Sequence, residues 1–287
     1  MNAPPGFGRV GFGAGLRWLP AGAELLAAGL RPLSGVAALW LLISMIVVIP
    51  FIGHLVLALM TPLLTAGVLL AFDYSRKGKP FGATTLLAGW RDEHARGGLL
   101  GLGLWAIGGS FLAVVVLSVW LGSQIPQAEL ESAMGSPEAL AELLSGHSIG
   151  PGLLFAAVVM AAVLATLYFA IPLVLFNRQP VWPALITSLR AVLSNWLAFL
   201  GLGVAVLAVG LGLGLILVLL VSVLSLALGQ VGALISQVIF LIFTMLIQML
   251  MAGAQYVAYC HVFGAPGNDS DDGDRRDSNA DDDQFIA

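Results

Sequence analysis

Residues 231–260 have the sequence VGALISQVIFLIFTMLIQMLMAGAQYVAYC, which is the last apolar run of the chain and contains no charged residue. Polar side chains recur along it at intervals of seven and four positions: Gln237, Thr244, Gln248, Gln255 and Tyr259, with Gln230 immediately before the run. At about 100° per residue of an α-helix, all six fall within an arc of roughly 60°. The other side chains are apolar, as in a helix surrounded by lipid. We therefore expect this polar row, called the glutamine stripe, to face other protein.

The composition places the rest of the chain in the same environment. The 287 residues are 59% hydrophobic and only 10% charged, with a mean hydropathy of +0.97. A soluble domain has about 25% charged residues. The sequence therefore predicts an integral membrane protein that crosses the bilayer several times. Cys260 is the single cysteine, which rules out an internal disulfide and a cysteine metal cluster.

Six apolar runs are long enough to cross a bilayer. The predicted fold class is all-α: residues 16–260 form a polytopic membrane helix bundle, with six transmembrane helices as three hairpins, each preceded by an interfacial amphipathic helix. The predicted spans are about 33–49, 54–72, 98–121, 152–176, 196–221 and 232–260. The first hairpin is short, and a re-entrant loop is its alternative. The fifth run continues to residue 228 and would reach about 50 Å, so we expect 222–229 to lie in the interface or as a helical turn above it.

Three amphipathic segments precede the predicted hairpins. Residues 16–32 predict an interfacial helix anchored by Trp18, and the Gly-rich residues 1–15 are expected to be flexible. Residues 177–195 predict a second amphipathic helix. Within residues 73–96, Thr84 or Thr85 would cap a short helix whose membrane-facing side chains are Leu86, Leu87 and Trp90. In the third span, close helix approach is predicted at one side, by Gly97, Gly101 and Gly108.

The charged residues predict the orientation. Residues 123–150 hold four glutamates and no Lys or Arg, and Ser136-Pro137-Glu138 predicts the start of a short helix there. All twelve Lys and Arg fall before residue 32, in 73–96, in 177–195 or in the tail. Because basic residues favour the cytoplasmic side, both termini are predicted in the cytoplasm of a bacterial inner membrane, with the acidic loop in the periplasm. The Asp-rich residues 264–287 predict a disordered tail.

Four stretches carry a resemblance to a known family: RWLPAGAELLAAGLRPLSGVAALW from Arg17, VIPFIGHLVLALMTPLLTAGVLLAFD from Val48, TTLLAGWRDEHARGGLLGLGL from Thr84, and SLRAVLSNWLAFLGLG from Ser188, which follows NRQPVWPA. Together they resemble an uncharacterised proteobacterial family of six-span inner-membrane proteins that has no assigned activity. This resemblance implies a topology and no site residue. A looser resemblance is to the membrane domains attached to glycerophosphodiester phosphodiesterases, which share the Ser-Leu-Arg…Asn-Trp entry into a span. No catalytic domain of that kind is expected here.

The sequence predicts no enzyme. Phosphate-binding loops, nucleophile elbows, zinc helices and dinucleotide fingerprints do not occur in it, so we expect no catalytic residue and no cofactor. His54, His147 and the loop glutamates match no metal-binding motif, and a solvated acidic loop is the expected interpretation. No carboxylate or cation falls inside a predicted span, which argues against an ion-coupled pump.

The glutamine stripe is the single candidate site, and two interpretations of it remain. It makes hydrogen bonds between helices, or it lines a neutral polar pathway or a groove for lipid headgroups. Correspondingly, the expected function is a non-catalytic scaffold or assembly factor, with a carrier or lipid-handling protein as the alternative. The expected partners are the lipid bilayer and a membrane protein or a second copy of the chain, and no nucleic acid.

Overall fold

The structure is a computed structural model that describes residues 6–133 and 135–266, and its regular elements there are all helical. The α-helices in chain order are α1 (Phe12–Ala28), α2 (Leu30–Ser44), α3 (Ile52–Arg76), α4 (Ala88–Arg91), α5 (Glu93–Gln124), α6 (Gln127–Ala133), α7 (Pro137–Ser145), α8 (Gly150–Asn177), α9 (Val181–Ser194) and α10 (Trp196–Phe263). Two 3-10 helices, Met45–Val48 and Ala83–Leu87, follow α2 and precede α4. The predicted disordered tail lies outside the described residues from position 267 onward, as do residues 1–5.

Five helices are long and apolar enough to cross a membrane. They are α2 with its 3-10 extension (Leu30–Val48), α3, α5, α8 and α10. The described residues therefore confirm the all-α fold class and the membrane-embedded character that the composition predicts. The first apolar run ends at the predicted turn, where Phe51 has a φ of 58°.

α10 is the longest helix, with 68 residues, and is interrupted at Gly229. Gly229 has φ 53° and ψ −126°, a backbone conformation that favours glycine. Phe199 and His261 lie on opposite sides of this break, yet both rings contact Trp18, at centroid distances of 5.5 and 6.5 Å. A straight helix would hold the two about 93 Å apart. The chain therefore folds back at Gly229 and divides α10 into two segments, 196–228 and 230–263.

α1 packs along both segments of α10 rather than lying free in the membrane interface. Gly15 lies against the carbonyl oxygen of Ala198, and Gly22 lies against the backbone of the second segment near Ala254. Trp18 is only 1% exposed, and its Nε1 donates to Nδ1 of His261 at 3.2 Å. The predicted role of Trp18 as an interfacial anchor is therefore wrong, because the apolar face of α1 is buried against protein.

The residues before α1 are tied to the last helix, in contrast to the flexible N-terminus expected for 1–15. We call residues 6–11 the N-terminal strap. The Gly8 amide donates to the Val262 carbonyl at 2.8 Å, and the Val10 amide donates to Oδ1 of Asn195 at 2.7 Å. Asn195 is itself buried and returns a hydrogen bond from Nδ2 to the Gly8 carbonyl at 3.2 Å. The strap thus joins both ends of the folded-back α10.

The segment between α3 and α5 differs from its prediction in two respects. Leu86 is fully buried. Its backbone lies directly against Gly67 of α3, at the position that a Cβ on residue 67 would occupy. The predicted membrane-facing position of Leu86 is therefore wrong. Trp90 is 47% exposed, as expected for an interfacial side chain. The 3-10 helix is preceded by Gly82 as its N-cap, not by a threonine.

α5 packs between α3 and α8 mainly through glycines outside the predicted set. Gly101 contacts Val181, but no neighbouring atom lies within 4 Å of the positions that a Cβ would occupy at Gly97 and Gly108. Contact is instead made by Gly103, which lies against the Leu59 carbonyl of α3, and by Gly109 and Gly98 on the α8 side. Gly97, Gly101 and Gly108 therefore share one side of α5, but of these three only Gly101 has a neighbouring atom within 4 Å.

The remaining two predicted regions are helical as expected. α9 buries its small residues, among them Ala184 and Ser188, and leaves Trp182 and Leu193 62% exposed, which suits a helix lying in an interface. In the acidic loop, α6 and α7 are the predicted short helices. Ser136 caps α7: its hydroxyl accepts from the Ala139 amide and donates to Glu138 at 2.8 Å, and this hydrogen bond lowers the pKa of the Glu138 carboxyl.

Gly15→Ala should destabilise the protein, because the added methyl would meet the Ala198 backbone at the α1–α10 contact. We expect a loss of about 1–3 kcal/mol in the free energy of unfolding, typical of overpacking. Gly13→Ala on the same helix is the matched control, because nothing lies within 4 Å of its Cβ position. It should be neutral or stabilise α1 by up to about 1 kcal/mol. Denaturant titration of both variants in detergent micelles tests this, and equal effects would show that α1 does not pack on α10.

Candidate functional site

Pro172 lies inside α8 and removes a backbone donor from that helix. In a regular helix, the amide of residue 172 would donate to the carbonyl oxygen of Tyr168, four residues earlier. The side chain of Gln255 replaces the missing donor, since its Nε2 lies 2.6 Å from that oxygen. One member of the glutamine stripe therefore completes the hydrogen bonding of a neighbouring transmembrane helix, as a lipid environment requires.

Ser188 of α9 completes the preceding turn of α8 in a similar way. Its hydroxyl accepts from the Phe169 amide at 2.9 Å and donates to the Ala165 carbonyl at 2.8 Å. The hydroxyl thus stands between a donor and an acceptor that would pair directly in a regular helix. Ser188 is fully buried, so both hydrogen bonds are made inside the protein. α8 is therefore completed by side chains from both α9 and α10.

Tyr259, one turn beyond Gln255, also joins α10 to α8. Its hydroxyl donates to Oδ1 of Asn177 at 2.6 Å, and the side chain is buried. The C-terminal end of the glutamine stripe therefore consists of two side chains that make hydrogen bonds between helices.

The other four members of the stripe are not gathered with these two. Gln230, Gln237 and Gln248 are exposed on the surface of the chain. Thr244 is half-buried, and its hydroxyl donates to the Phe240 carbonyl of its own helix at 2.9 Å. The stripe thus divides into a buried end on α8 and an exposed part toward Gly229.

A buried carboxylate lies where α3 meets α10. Asp73 is 3% exposed; its Oδ1 accepts from the Tyr256 hydroxyl at 2.7 Å and its Oδ2 accepts from Nζ of Lys77 at 2.8 Å. Arg76 donates from Nη2 to Oδ1 at 3.3 Å and from Nε to the Tyr256 oxygen at 2.8 Å. We call these four residues the Asp73 cluster.

The negative charge of Asp73 is compensated locally by two cations. The side chains of Arg76 and Lys77 are 34% and 30% exposed, so both cations reach solvent while their donors turn toward the carboxylate. Removing one partner of a buried ion pair costs about 3–5 kcal/mol. Since both carboxylate oxygens accept hydrogen bonds, this geometry holds α3 on α10 and does not present a free base.

Sequence reasoning missed the Asp73 cluster. The predicted span ends at residue 72, which leaves Asp73 in the connection that follows, whereas α3 continues to Arg76. The available signal was the placement of Arg76 and Lys77 three and four residues after Asp73, on one helical face. Tyr256 gave no comparable signal, because it lies beside the stripe and not within it.

A cavity of about 480 Å³ lies beside this cluster, between α3, the segment 84–92 and α8. Phe176 lines the cavity, and its ring also contacts Tyr256 at a centroid distance of 6.4 Å. The polar side chains around it are Tyr74, Thr84, Thr85, Arg91 and Asp92. The cavity has a volume typical of small-molecule sites.

No family model matches the chain, and no curated protein and no solved structure is similar to it at a significant level. The resemblance to a six-span inner-membrane family therefore stays a prediction, and the function has to be argued from the geometry.

Gln255→Leu should cost about 1–3 kcal/mol of unfolding free energy, because it leaves the partly buried Tyr168 carbonyl without a donor. Pro172→Ala restores the backbone amide that can donate to this carbonyl. In the Pro172→Ala background, Gln255→Leu should therefore cost much less, giving a coupling of about 1 kcal/mol or more in a double-mutant cycle. Unfolding titrations of the four proteins in mixed micelles measure it. An identical loss in both backgrounds would contradict the replacement of the missing donor by Gln255.

Proposed function

We propose that the chain crosses a bacterial inner membrane six times, with the N-terminal strap and the end of α10 in the cytoplasm. Four of the five long apolar helices each supply one crossing, and α10 supplies two because it folds back at Gly229. The connections from α3 to α5 and from α8 to α9 carry Lys and Arg, whereas α6, α7 and the turn at Gly229 carry none. This distribution supports a cytoplasmic side at the basic connections and a periplasmic side at the acidic loop.

We propose that the protein is a non-catalytic membrane scaffold or assembly factor that docks another membrane protein, or a second copy of itself, through the distal part of α10. We define distal α10 as residues 203–248. Within this stretch, all of it described, only Gly232 and Ser236 are buried, and Leu226 at the turn is 91% exposed. This exposure is the observation that carries the proposal.

The lengths of the two α10 segments argue that lipid alone does not cover distal α10. Segments 196–228 and 230–263 have 33 and 34 residues, so each is about 50 Å long. A hydrocarbon core of about 30 Å would accommodate such a helix fully only at a tilt of about 53°, and observed tilts lie at about 0–40°. Apolar side chains near Gly229 therefore extend past the hydrocarbon, where a protein surface would cover them.

The exposed glutamines argue for the same cover. An amide facing hydrocarbon leaves its hydrogen-bonding groups unpaired, which costs several kcal/mol. Gln248 lies about 28 Å along the helix from Gly229, within the depth that the membrane spans. A glutamine is both donor and acceptor, so the same row on a facing helix, or another polar side chain, satisfies it.

A carrier or lipid-handling protein is the second candidate function. It is favoured by the same exposed amides, which would instead contact a polar solute or a lipid headgroup. The docking function is preferred because the six stripe residues do not converge: two are engaged with α8, and Gln230, Gln237 and Gln248 are exposed.

The orientation predicts which introduced cysteines react from outside the cell. In a Cys260→Ser background, a cysteine at Ser136, before α7, should react in intact cells with a thiol reagent that cannot cross membranes. A cysteine at Ser278, in the Asp-rich tail, should react only after the cells are permeabilised. The reverse labelling pattern would overturn the six-span orientation.

The docking function predicts an assembly that depends on the exposed glutamines. In lipid nanodiscs, native mass spectrometry of the wild-type chain should detect a second polypeptide, either a copy or another membrane protein. Gln237→Leu/Gln248→Leu should remove it while leaving helical content and unfolding free energy unchanged, because both side chains are exposed in the single chain.

Leu246→Ala is the matched control for this experiment. Leu246 is exposed on the same helix about 160° away from Gln248, so its replacement should preserve the assembly. A wild-type chain that is monomeric in nanodiscs and carries a small molecule lost in the double variant would refute docking and support the carrier.

A further inference from the structure

The cavity beside the Asp73 cluster combines a polar rim with an apolar wall. Its volume is about 480 Å³, and it lies at the ends of α3 and α8, next to the basic connection 76–91. The apolar wall consists of Leu70, Leu175 and Phe176. Trp90, adjacent to the rim in sequence, is 47% exposed, as aromatic side chains at membrane surfaces are. The cavity therefore lies where headgroups meet acyl chains.

The rim carries one cation that is not compensated. Within residues 6–133 and 135–266, Arg91 makes no ion pair or hydrogen bond through its guanidinium. One oxygen of the neighbouring Asp92 carboxylate is engaged as the N-cap of α5, since its Oδ1 accepts from the amides of His94 and Ala95 at 3.0 and 3.2 Å, and Asp92 forms no ion pair with Arg91 among the described residues. The guanidinium thus keeps its five donors for a ligand.

Hydroxyl groups extend this donor set. Thr84 is exposed and Thr85 half-buried, and both line the cavity with Tyr74. The Thr85 oxygen accepts from the Gly82 amide at 3.4 Å, which leaves its hydroxyl hydrogen to donate elsewhere. A guanidinium and several hydroxyls suit a tetrahedral oxyanion with three or four oxygens better than a planar carboxylate with two.

We propose that this cavity binds a phosphate ester, specifically the headgroup phosphate of an anionic phospholipid in the cytoplasmic leaflet. Arg91 forms a bidentate pair with the phosphate, Thr84 and Thr85 donate to its remaining oxygens, and the glycerol and first acyl carbons lie along Leu175 and Phe176. Nearby Arg76 and Lys77 add positive potential at the same surface. The assignment to the cytoplasmic leaflet rests on the proposed orientation. The site itself is separate from distal α10, so its test does not depend on the docking function.

The test compares two arginines that lie five positions apart in the sequence. Arg91 lines the cavity, whereas Arg96 is exposed on α5 and does not. The full chain, delipidated in neutral detergent, is titrated with phosphatidylglycerol and followed by mass spectrometry of the intact protein, with diacylglycerol of the same acyl chains as the phosphate-free probe. We expect phosphatidylglycerol to bind and diacylglycerol not to bind. Arg91→Gln should weaken binding by about tenfold or more, as expected for loss of a charged hydrogen-bonding partner, and Arg96→Gln should leave it within about twofold.

A second variant keeps the test decisive if Arg91→Gln fails to fold. Thr84→Val removes one donor from an exposed side chain and should weaken binding by about threefold to tenfold, with the thermal stability of the lipid-free protein unchanged. Equal losses in Arg91→Gln and Arg96→Gln, or equal binding of diacylglycerol, would overturn the site. A final experiment adds glycerol 3-phosphate at the same concentration as the lipid, and we expect no displacement of the lipid. Displacement would assign the cavity to a soluble phosphate ester and overturn the lipid assignment.

Discussion

Inside a hydrocarbon layer a backbone carbonyl must find its donor within the protein, and the carbonyl of Tyr168 finds one only on another helix. Pro172 removes the local amide, and Gln255 supplies the replacement at 2.6 Å. This dependence fixes the depth of α10 relative to α8, because the donor atom has one position at which it reaches the oxygen. α10 in turn carries the contacts of α1 and the N-terminal strap. The first and the last of the described helices are therefore linked to α8 through an interaction that begins with one proline.

Two tyrosines make α10 the joint between separate parts of the bundle. Tyr256 donates to Asp73 of α3, and Tyr259, three residues later, donates to Asn177 of α8. They lie close together on the helix surface, so one turn of α10 binds two neighbours. A charge buried in this region is tolerable because Arg76 and Lys77 pair with it while their own surfaces reach the aqueous boundary.

The apolar runs predict the helices well, because hydrophobic length is a local property that the bilayer thickness translates directly into structure. The position of α7 after Ser136 and the amphipathic α9 follow from equally local signals. What sequence reasoning could not supply was the identity of the partner. Trp18 and Leu86 have apolar faces that suit lipid or protein equally, and only their long-range neighbours decide between the two.

The candidate sites, too, could be predicted only in part, because their long-range neighbours are not visible in the sequence. The glutamine stripe is visible as a periodic pattern, but the pattern does not say that Gln255 meets a proline-freed carbonyl while Gln248 stays exposed. Asp73 was overlooked for a different reason: hydropathy ends a span at the first charge, whereas a compensated carboxylate can continue the helix into the protein interior. The cavity near Arg91 involves α3, α8 and the connection between α3 and α5, so no sequence window contains it.

The contact of α1 with α10 has a consequence for the order of biosynthesis. The hydrogen bond from Trp18 to His261 joins residues 243 positions apart, and the strap closes onto Val262. Since chain elongation proceeds at about 5–20 residues per second, α1 waits for on the order of 10–50 s before its binding surface is complete. Until then Trp18 can contact Phe199 of the first α10 segment but lacks the cover that His261 of the second segment provides. The first part of the chain to be made is thus among the last to reach its final place.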